Sequence, residues 1–206
     1  MGRHSAYADM DLSEFRKRVQ MNIEALNHAV RNIPEEQLRM HLCWGNYPGP
    51  HHCDVALAEI IDIVWTAKPQ TILFEAANPR HAHEWKLFES VKVPDDKVLC
   101  PGVIEPQSNF IEHPELVAQR IERFAAIVGA ERVMAGVDCG FSVHVGMQGI
   151  DPDVALPIQP NCGVFEGLIA HAGDTHAVEE HIQRPGLTAD QEQRAGDQHA
   201  TPPNHP

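Results

Sequence analysis

Hydrophobic and polar positions follow two different periods along the first part of this 206-residue chain. Apolar residues three and four positions apart, the spacing of an amphipathic helix, occur at residues 11–30, 54–67, 81–90 and 114–128. Asp11 is placed to cap the first helix, with Glu14 three residues on. Pro114 opens the last helix and Gly129 ends it. The pattern therefore predicts four helices.

Short apolar runs lie between the predicted helices, at residues 39–43, 71–74, 97–103 and 133–136. Strands that alternate with helices at intervals of about 30 residues are typical of parallel βα units, which predicts an α/β fold. Four such units fit a small doubly wound sheet or four of the eight units of a (β/α)8 barrel. No glycine-rich phosphate-binding turn follows any of the four runs.

Composition narrows the classes of partner. The chain has 29 acidic and 16 basic residues, a formal net charge of −13. Such a charge argues against nucleic acid or an anionic membrane surface as the main partner. No apolar run approaches the roughly 20 residues that span a bilayer, and the amino terminus lacks the apolar core of a signal peptide. We therefore expect a soluble, cytoplasmic protein.

The chain changes character after residue 154. From residue 157 onward the periodicity fails, prolines and histidines are scattered, and no aromatic residue follows Phe165. A segment of this composition cannot bury enough apolar surface to fold. The sequence predicts a folded unit over residues 1–154 and a disordered tail over residues 155–206.

Residue types that bind metals follow three of the predicted strands. His41 and Cys43 are two positions apart on a strand and so point to the same face. Glu75 ends the second strand and Cys139 follows the fourth, and parallel strands bring such positions to one edge of a sheet. An imidazole, two thiolates and a carboxylate favour zinc. The alternative is that a His-x-Cys pair occurs by chance and the cysteines are simply buried.

Other residues near strand ends are candidates for substrate binding. Arg80 can pair with an anionic group of a substrate, and Asn78 lies beside it in the same loop. Trp44 follows the His-x-Cys strand and can line a pocket together with Tyr47. The alternatives are an ordinary surface arginine and aromatic residues that only pack. Residues 51–53, His-His-Cys, are more typical of a loop lining than of a metal site.

These motifs, in this order, resemble the carboxy-terminal catalytic barrel of the cobalamin-independent methionine synthases. The resemblance is carried by residues 41–43, 71–75, 101–104 and 137–140, and it covers roughly residues 3–154. The longer runs at residues 41–47 and 74–80 are more similar to a branch related to that enzyme, in the neighbourhood of the epoxyalkane:coenzyme M transferases.

The resemblance implies a zinc-dependent transfer of a methyl or alkyl group to the thiol of a small acceptor, on a (β/α)8 barrel. The zinc ligands of the family fall on His41, Cys43, Glu75 and Cys139. The resemblance also implies that Asp138, next to Cys139, orients a zinc ligand without binding the zinc itself.

One position departs from the family pattern. Methionine synthases have a histidine, the proposed proton donor to the leaving folate, in the loop where this chain has Gln107. Glutamine cannot act as a general acid. Either another acid serves, or the alkyl donor is not a methyl-folate.

The resemblance also implies that this chain corresponds to half of a barrel. Family members carry further βα units ahead of the part that matches, and residues 155–206 look unrelated to them, as a shifted reading frame would produce. We expect the half-barrel to be an active alkyltransferase, a non-catalytic remnant that binds zinc weakly or not at all, or one partner of a homodimer that completes the barrel.

Overall fold

The structure is a computed structural model, and it describes residues 7, 9–45 and 51–140. At its centre is a parallel sheet of three strands, β1 (Arg39–Leu42), β2 (Thr71–Phe74) and β3 (Val98–Pro101), in the order β1-β2-β3. His41 of β1 pairs with Leu73 of β2, which in turn pairs with Cys100 of β3. The first three predicted strands are thus confirmed, and the protein is a mixed α/β protein with a parallel sheet.

The helices are α1 (Leu12–Ala29), α2 (Ile61–Val64), α3 (Leu87–Ser90) and α4 (Pro114–Val128). Asp11 caps α1 as predicted, because its carboxylate accepts a hydrogen bond from Glu14 N at 2.8 Å. The last long helix begins at Pro114 and ends before Gly129, whose φ of 89° suits a residue without a side chain. The two long helices therefore form where their spacing and end residues predict them.

The sheet has one face buried under helices and an opposite face on which Arg39 and His41 are exposed. Side chains alternate along a strand, so Leu42 is buried on one side of β1 while His41 is exposed on the other. On the buried side the Phe74 ring lies 5.5 Å from the Phe88 ring and 5.7 Å from the Phe124 ring, measured between centroids. The hydrophobic core thus lies between the sheet and its helices, which leaves the opposite face for chemistry.

The fourth predicted strand is present only as isolated pairings. Leu99 forms a parallel bridge with Val133, and Gly102 forms another with Gly136. Met134 N donates a hydrogen bond to Leu99 O at 2.8 Å, so this segment runs beside β3. It takes the place predicted for a fourth strand without a continuous ladder, and the described part of the chain contains three regular strands instead of four.

The helix predicted over residues 54–67 is shorter than expected because side chains occupy its first backbone groups. A 3-10 turn precedes the four-residue helix α2. Val55 O accepts a hydrogen bond from Trp44 Nε1 at 2.6 Å, and Leu57 N donates to Glu84 Oε1 at 2.8 Å. Val55 O is thereby taken from the ladder that would start a helix at the predicted position, whereas Leu57 N lies in the first turn, where N–H groups have no partner within the helix.

The helix predicted over residues 81–90 is divided in the same way. It forms a 3-10 turn, Glu84–Lys86, followed by α3. Glu84 Oε2 contacts His81 Nδ1 at 2.7 Å, while Oε1 receives the hydrogen bond from Leu57 N. The glutamate therefore joins this turn to the segment before α2.

Three predictions concern residues outside the described ranges: Tyr47 as a pocket residue, the boundary at residue 154 and the disordered tail over residues 155–206. Within the described ranges, no helix has the length and apolar character needed to cross a bilayer.

Candidate metal centre

Three nitrogen and sulfur donors converge at the carboxyl edge of the sheet. One ring nitrogen of His41 and the Sγ atoms of Cys43 and Cys139 all lie within 4.8 Å of one another. His41 and Cys43 reach the same side because they are two positions apart, with buried Leu42 between them. Cys139 arrives from the segment that runs beside β3. The three side chains meet, and their role as metal ligands stays a prediction.

The two cysteine sulfurs share a hydrogen bond, with Sγ atoms 3.0 Å apart. This contact with Cys139 lowers the pKa of Cys43, and the same contact raises the pKa of Cys139, so the shifts belong to the pair. The hydrogen bond between His41 and Cys43 raises the pKa of the imidazole. Gly45 N also donates to Cys43 Sγ at 3.2 Å. The arrangement favours a thiolate at position 43, the form in which cysteine binds metals.

Glu75 lies against this cluster and is oriented by several neighbours. It is 3% exposed, and its Oε1 lies 3.2 Å from Cys139 Sγ and accepts a hydrogen bond from Trp44 N at 2.9 Å. Its Oε2 accepts from Asn78 Nδ2 at 2.8 Å and contacts the Arg80 guanidinium at 3.4 Å. Burial raises the pKa of Glu75, and the hydrogen bond from Trp44 N acts in the opposite direction.

Asp138 connects the loop after β2 to the segment that carries Cys139. Its buried carboxylate accepts hydrogen bonds from Ala76 N at 2.8 Å, Ala77 N at 3.0 Å, Asn78 N at 2.7 Å and Asn78 Nδ2 at 2.9 Å. Burial raises the pKa of Asp138, whereas these N–H donors lower it. The carboxylate thus fixes the backbone that follows Glu75 relative to the neighbouring Cys139.

The three residues predicted to bind substrate all lie beside Glu75. Trp44 is 1% exposed, and its main-chain N–H contacts the glutamate. Asn78 donates its amide N–H to Glu75, and Arg80 contacts both Glu75 and Asp54. Each of them already has partners within the protein. Substrate binding by these residues stays a prediction.

A buried polar network beside the centre was missed at the level of the sequence. His51 Nδ1 lies 3.0 Å from Asp54 Oδ2, and the Arg80 guanidinium contacts the same oxygen. His81 contacts Glu84 through Nδ1, and its Nε2 is 4.0 Å from Asp54 Oδ2. Two acidic residues that each follow a histidine by three positions are the signal that identifies this network in the sequence. Through Arg80 the network reaches the candidate metal centre.

Comparison with known proteins confirms the resemblance read from the sequence. The chain is 27% identical to the 2-hydroxypropyl-CoM lyase of Xanthobacter autotrophicus over 143 residues, covering 57% of this chain and 38% of the lyase. It is 26% identical to the methionine synthase of Thermococcus kodakarensis over 125 residues, covering 61% of this chain and 33% of the synthase. No family model matches the chain.

The fold is similar to that of a solved B12-independent methionine synthase from a Shewanella species, determined in complex with selenomethionine. The TM-score is 0.55 at 19% sequence identity, and the match covers 81% of this chain and 46% of that one. The chain therefore spans less than half the length of each of these three proteins.

Proposed function

We propose that the protein transfers a methyl or alkyl group to a small-molecule thiol at a zinc site formed by His41, Cys43, Glu75 and Cys139. The convergence of three donor atoms within 4.8 Å carries this proposal. The similar proteins are named for 2-hydroxypropyl-coenzyme M and for methionine, and both compounds are alkylated thiols. Alkylation of a thiol is the chemistry that the two names have in common.

The donor set fits zinc. One imidazole, two thiols and one carboxylate provide the nitrogen, sulfur and oxygen ligands that zinc accepts, and two sulfurs disfavour magnesium and calcium. The hydrogen bonds that Cys43 receives favour its thiolate, so one anionic ligand is available before any ion binds. Bound zinc would hold an acceptor thiol as a thiolate near neutral pH.

The surrounding residues orient these side chains. Glu75 is held by hydrogen bonds from Trp44 N and Asn78 Nδ2, and with this support it could yield a contact with zinc to an acceptor thiol. Asp138 holds the loop after Glu75 through three backbone N–H groups and so fixes two candidate ligands relative to each other. Arg80, one third exposed, is the cation best placed for an anionic group on the acceptor.

The architecture that we propose for the described residues is half of a (β/α)8 barrel. The parallel order β1-β2-β3 and the likeness to the solved methionine synthase support it. The open face of the sheet, which carries exposed His41, corresponds to the interior of such a barrel. A second copy of the chain is one way to cover that face, and the mass in solution tests this possibility.

Zinc content of the purified full chain tests the site. We expect about one zinc per chain in the wild type, as a single four-ligand site predicts, and loss of zinc in Cys43→Ser and Cys139→Ser. Cys53→Ser is the matched control, because Cys53 is a half-buried cysteine outside the cluster. A wild type without zinc, or a Cys43→Ser variant that keeps it, would contradict the site.

A single-turnover assay of the zinc-loaded chain tests the reaction. Homocysteine and coenzyme M are offered separately as acceptors with an alkyl donor, and the thioether product is measured by mass spectrometry. Product with either acceptor supports alkyl transfer and identifies the acceptor. Absence of product with both would favour a non-catalytic zinc-binding remnant.

A further inference from the structure

We infer that Glu105 is the acid that protonates the leaving oxygen of the alkyl donor. The inference rests on the proposed alkyl transfer and names the group that serves where Gln107 cannot. The role applies to a donor whose leaving atom is oxygen, such as an epoxide. Four observations on the residues around the candidate centre support it.

The chain brings Glu105 to the same edge of the sheet as Cys139. After β3, Gly102 bridges to Gly136, and Ile104 O accepts a hydrogen bond from Asp138 N at 3.0 Å. Glu105 is the next residue and therefore lies beside the segment that carries Asp138 and Cys139. A carboxylic acid at this position lies at the same edge of the sheet as the candidate ligands.

The carboxyl group of Glu105 is half-buried and held in a defined position. Its Oε1 accepts a hydrogen bond from Gln107 N at 2.6 Å, and Glu105 N donates to Glu112 Oε2 at 2.7 Å. Gln107 thus contributes a backbone contact that orients the carboxyl group of Glu105, although its own side-chain amide cannot act as a general acid. Both hydrogen bonds hold Glu105 within the loop that follows β3.

The other carboxyl groups at this edge are held by donors within the protein. Glu112 forms an ion pair with Arg120 at 2.6 Å. Asp138 accepts four hydrogen bonds from N–H groups, and Glu75 lies against Cys139 and contacts Arg80. Among the described residues, Glu105 has no ion-pair partner, and its carboxylate accepts its hydrogen bond from Gln107 N.

The charges around Glu105 favour its protonated form. Burial raises its pKa, and so do the nearby carboxylates of Asp138, Glu112 and Glu75, while the hydrogen bond from Gln107 N lowers it. Arg120, which donates a hydrogen bond to Val103 O, forms its ion pair with Glu112. A raised pKa favours the protonated carboxyl group, which is the form that acts in general acid catalysis.

The step balances in atoms and charge. The acceptor thiol releases its proton to solvent, its sulfur forms a bond to a carbon of the epoxide, and the C–O bond breaks with its electron pair on oxygen. Glu105 gives its proton to that oxygen, which leaves a hydroxyl group on the product. The carboxylate then recovers a proton from solvent, so that thiol and epoxide become a hydroxyalkyl thioether with no other co-reactant.

Comparison of two donors in single turnover tests this role. Ring opening of 1,2-epoxypropane needs a proton on oxygen, whereas iodomethane releases iodide, which needs none. We expect Glu105→Gln to slow the epoxide reaction by about 100-fold or more, the usual contribution of a general acid, and to leave methyl transfer from iodomethane unchanged. Glu105→Asp should restore part of the epoxide reaction, and Gln107→Ala, which keeps the backbone N–H, should retain most of it.

Each remaining outcome overturns the assignment. Equal loss with both donors in Glu105→Gln, or no loss with either, removes Glu105 from proton transfer, and zinc content with thermal unfolding shows whether the variant is intact. Wild-type reaction with iodomethane but not with the epoxide leaves thiol alkylation standing and rejects the acid. A wild type inactive with both donors rejects the proposed function and this role together.

Discussion

The main chain of Gly102 passes so close to Asp138 that a β-carbon at position 102 would overlap Oδ1 of the carboxylate. The parallel bridge between Gly102 and Gly136 sets this spacing. Because Gly102 has no side chain, the Asp138 carboxylate can occupy the position in which it accepts hydrogen bonds from Ala77 N and Asn78 N. Gly102, the residue after β3, thus determines how Asp138 holds the loop after β2.

Gly102→Ala is therefore expected to displace Asp138. The free energy of unfolding should fall by about 1–3 kcal/mol, as for other overpacked sites, and bound zinc should be lost. Urea denaturation and zinc analysis measure the two effects. Gly136→Ala is the matched control, since its β-carbon would meet Cys100 Sγ at 3.0 Å and not a carboxylate. Equal effects of the two substitutions would show that crowding alone is responsible.

Asp138→Asn keeps the size of the side chain but removes an acceptor oxygen from a set of N–H donors. Leaving buried donors unpaired should lower the free energy of unfolding by about 1–3 kcal/mol. Zinc affinity, measured by competition with a chelator, should fall about 10–100-fold, as when other supporting residues of metal sites are changed. Asp95→Asn, at a carboxylate whose side chain is 80% exposed, should change neither quantity. Unaltered zinc affinity in Asp138→Asn would mean that the loop needs no carboxylate.

Cys139 has a φ of 48°, in the left-handed region that residues with a β-carbon rarely adopt. Cys139→Gly and Cys139→Ala both remove the thiol, but only glycine relieves the backbone. We expect the glycine variant to unfold with a free energy about 1 kcal/mol above that of the alanine variant, and both to lack zinc. Matched stability of the two variants in urea denaturation would show that the conformation carries no strain.

The two faces of the sheet should respond differently to truncation. Phe88→Ala removes a ring from the buried aromatic group with Phe74 and Phe124, and should lower the free energy of unfolding by about 3–5 kcal/mol. His41→Ala, on the exposed face, should abolish zinc binding with little loss of stability in the metal-free protein. Calorimetry on the metal-free forms compares them. A large loss of stability in His41→Ala would contradict this difference between the two faces of the sheet.

Structural features that depend on residues close in sequence could be predicted well. The helices α1 and α4 have long amphipathic patterns with a capping residue or a proline at the start, and both form where expected. The apolar run of β2 forms a strand, and strand alternation brings His41 and Cys43 to one side. These features depend on neighbours close in sequence, whose effect does not require the rest of the fold.

Features that depend on distant partners could not be predicted. In the segment 54–67, Val55 O accepts a hydrogen bond from Trp44 Nε1 and Leu57 N donates one to Glu84 Oε1, and both partners lie outside the segment. The contact of Arg80 with Asp54, and the way Asp138 binds the loop after β2, likewise arise only once the sheet is assembled. Periodicity contains no information about which backbone groups such side chains will take.

Side chains along β1 alternate between the candidate metal centre and the hydrophobic core. His41 and Cys43 face one side, while Leu42 and Trp44 are buried on the other. Insertion or deletion of one residue just before β1 that shifted its pairing would turn Leu42 towards the ligands' side and His41 into the apolar interior. Only length changes in steps of two keep His41 and Cys43 on the ligand side of this strand.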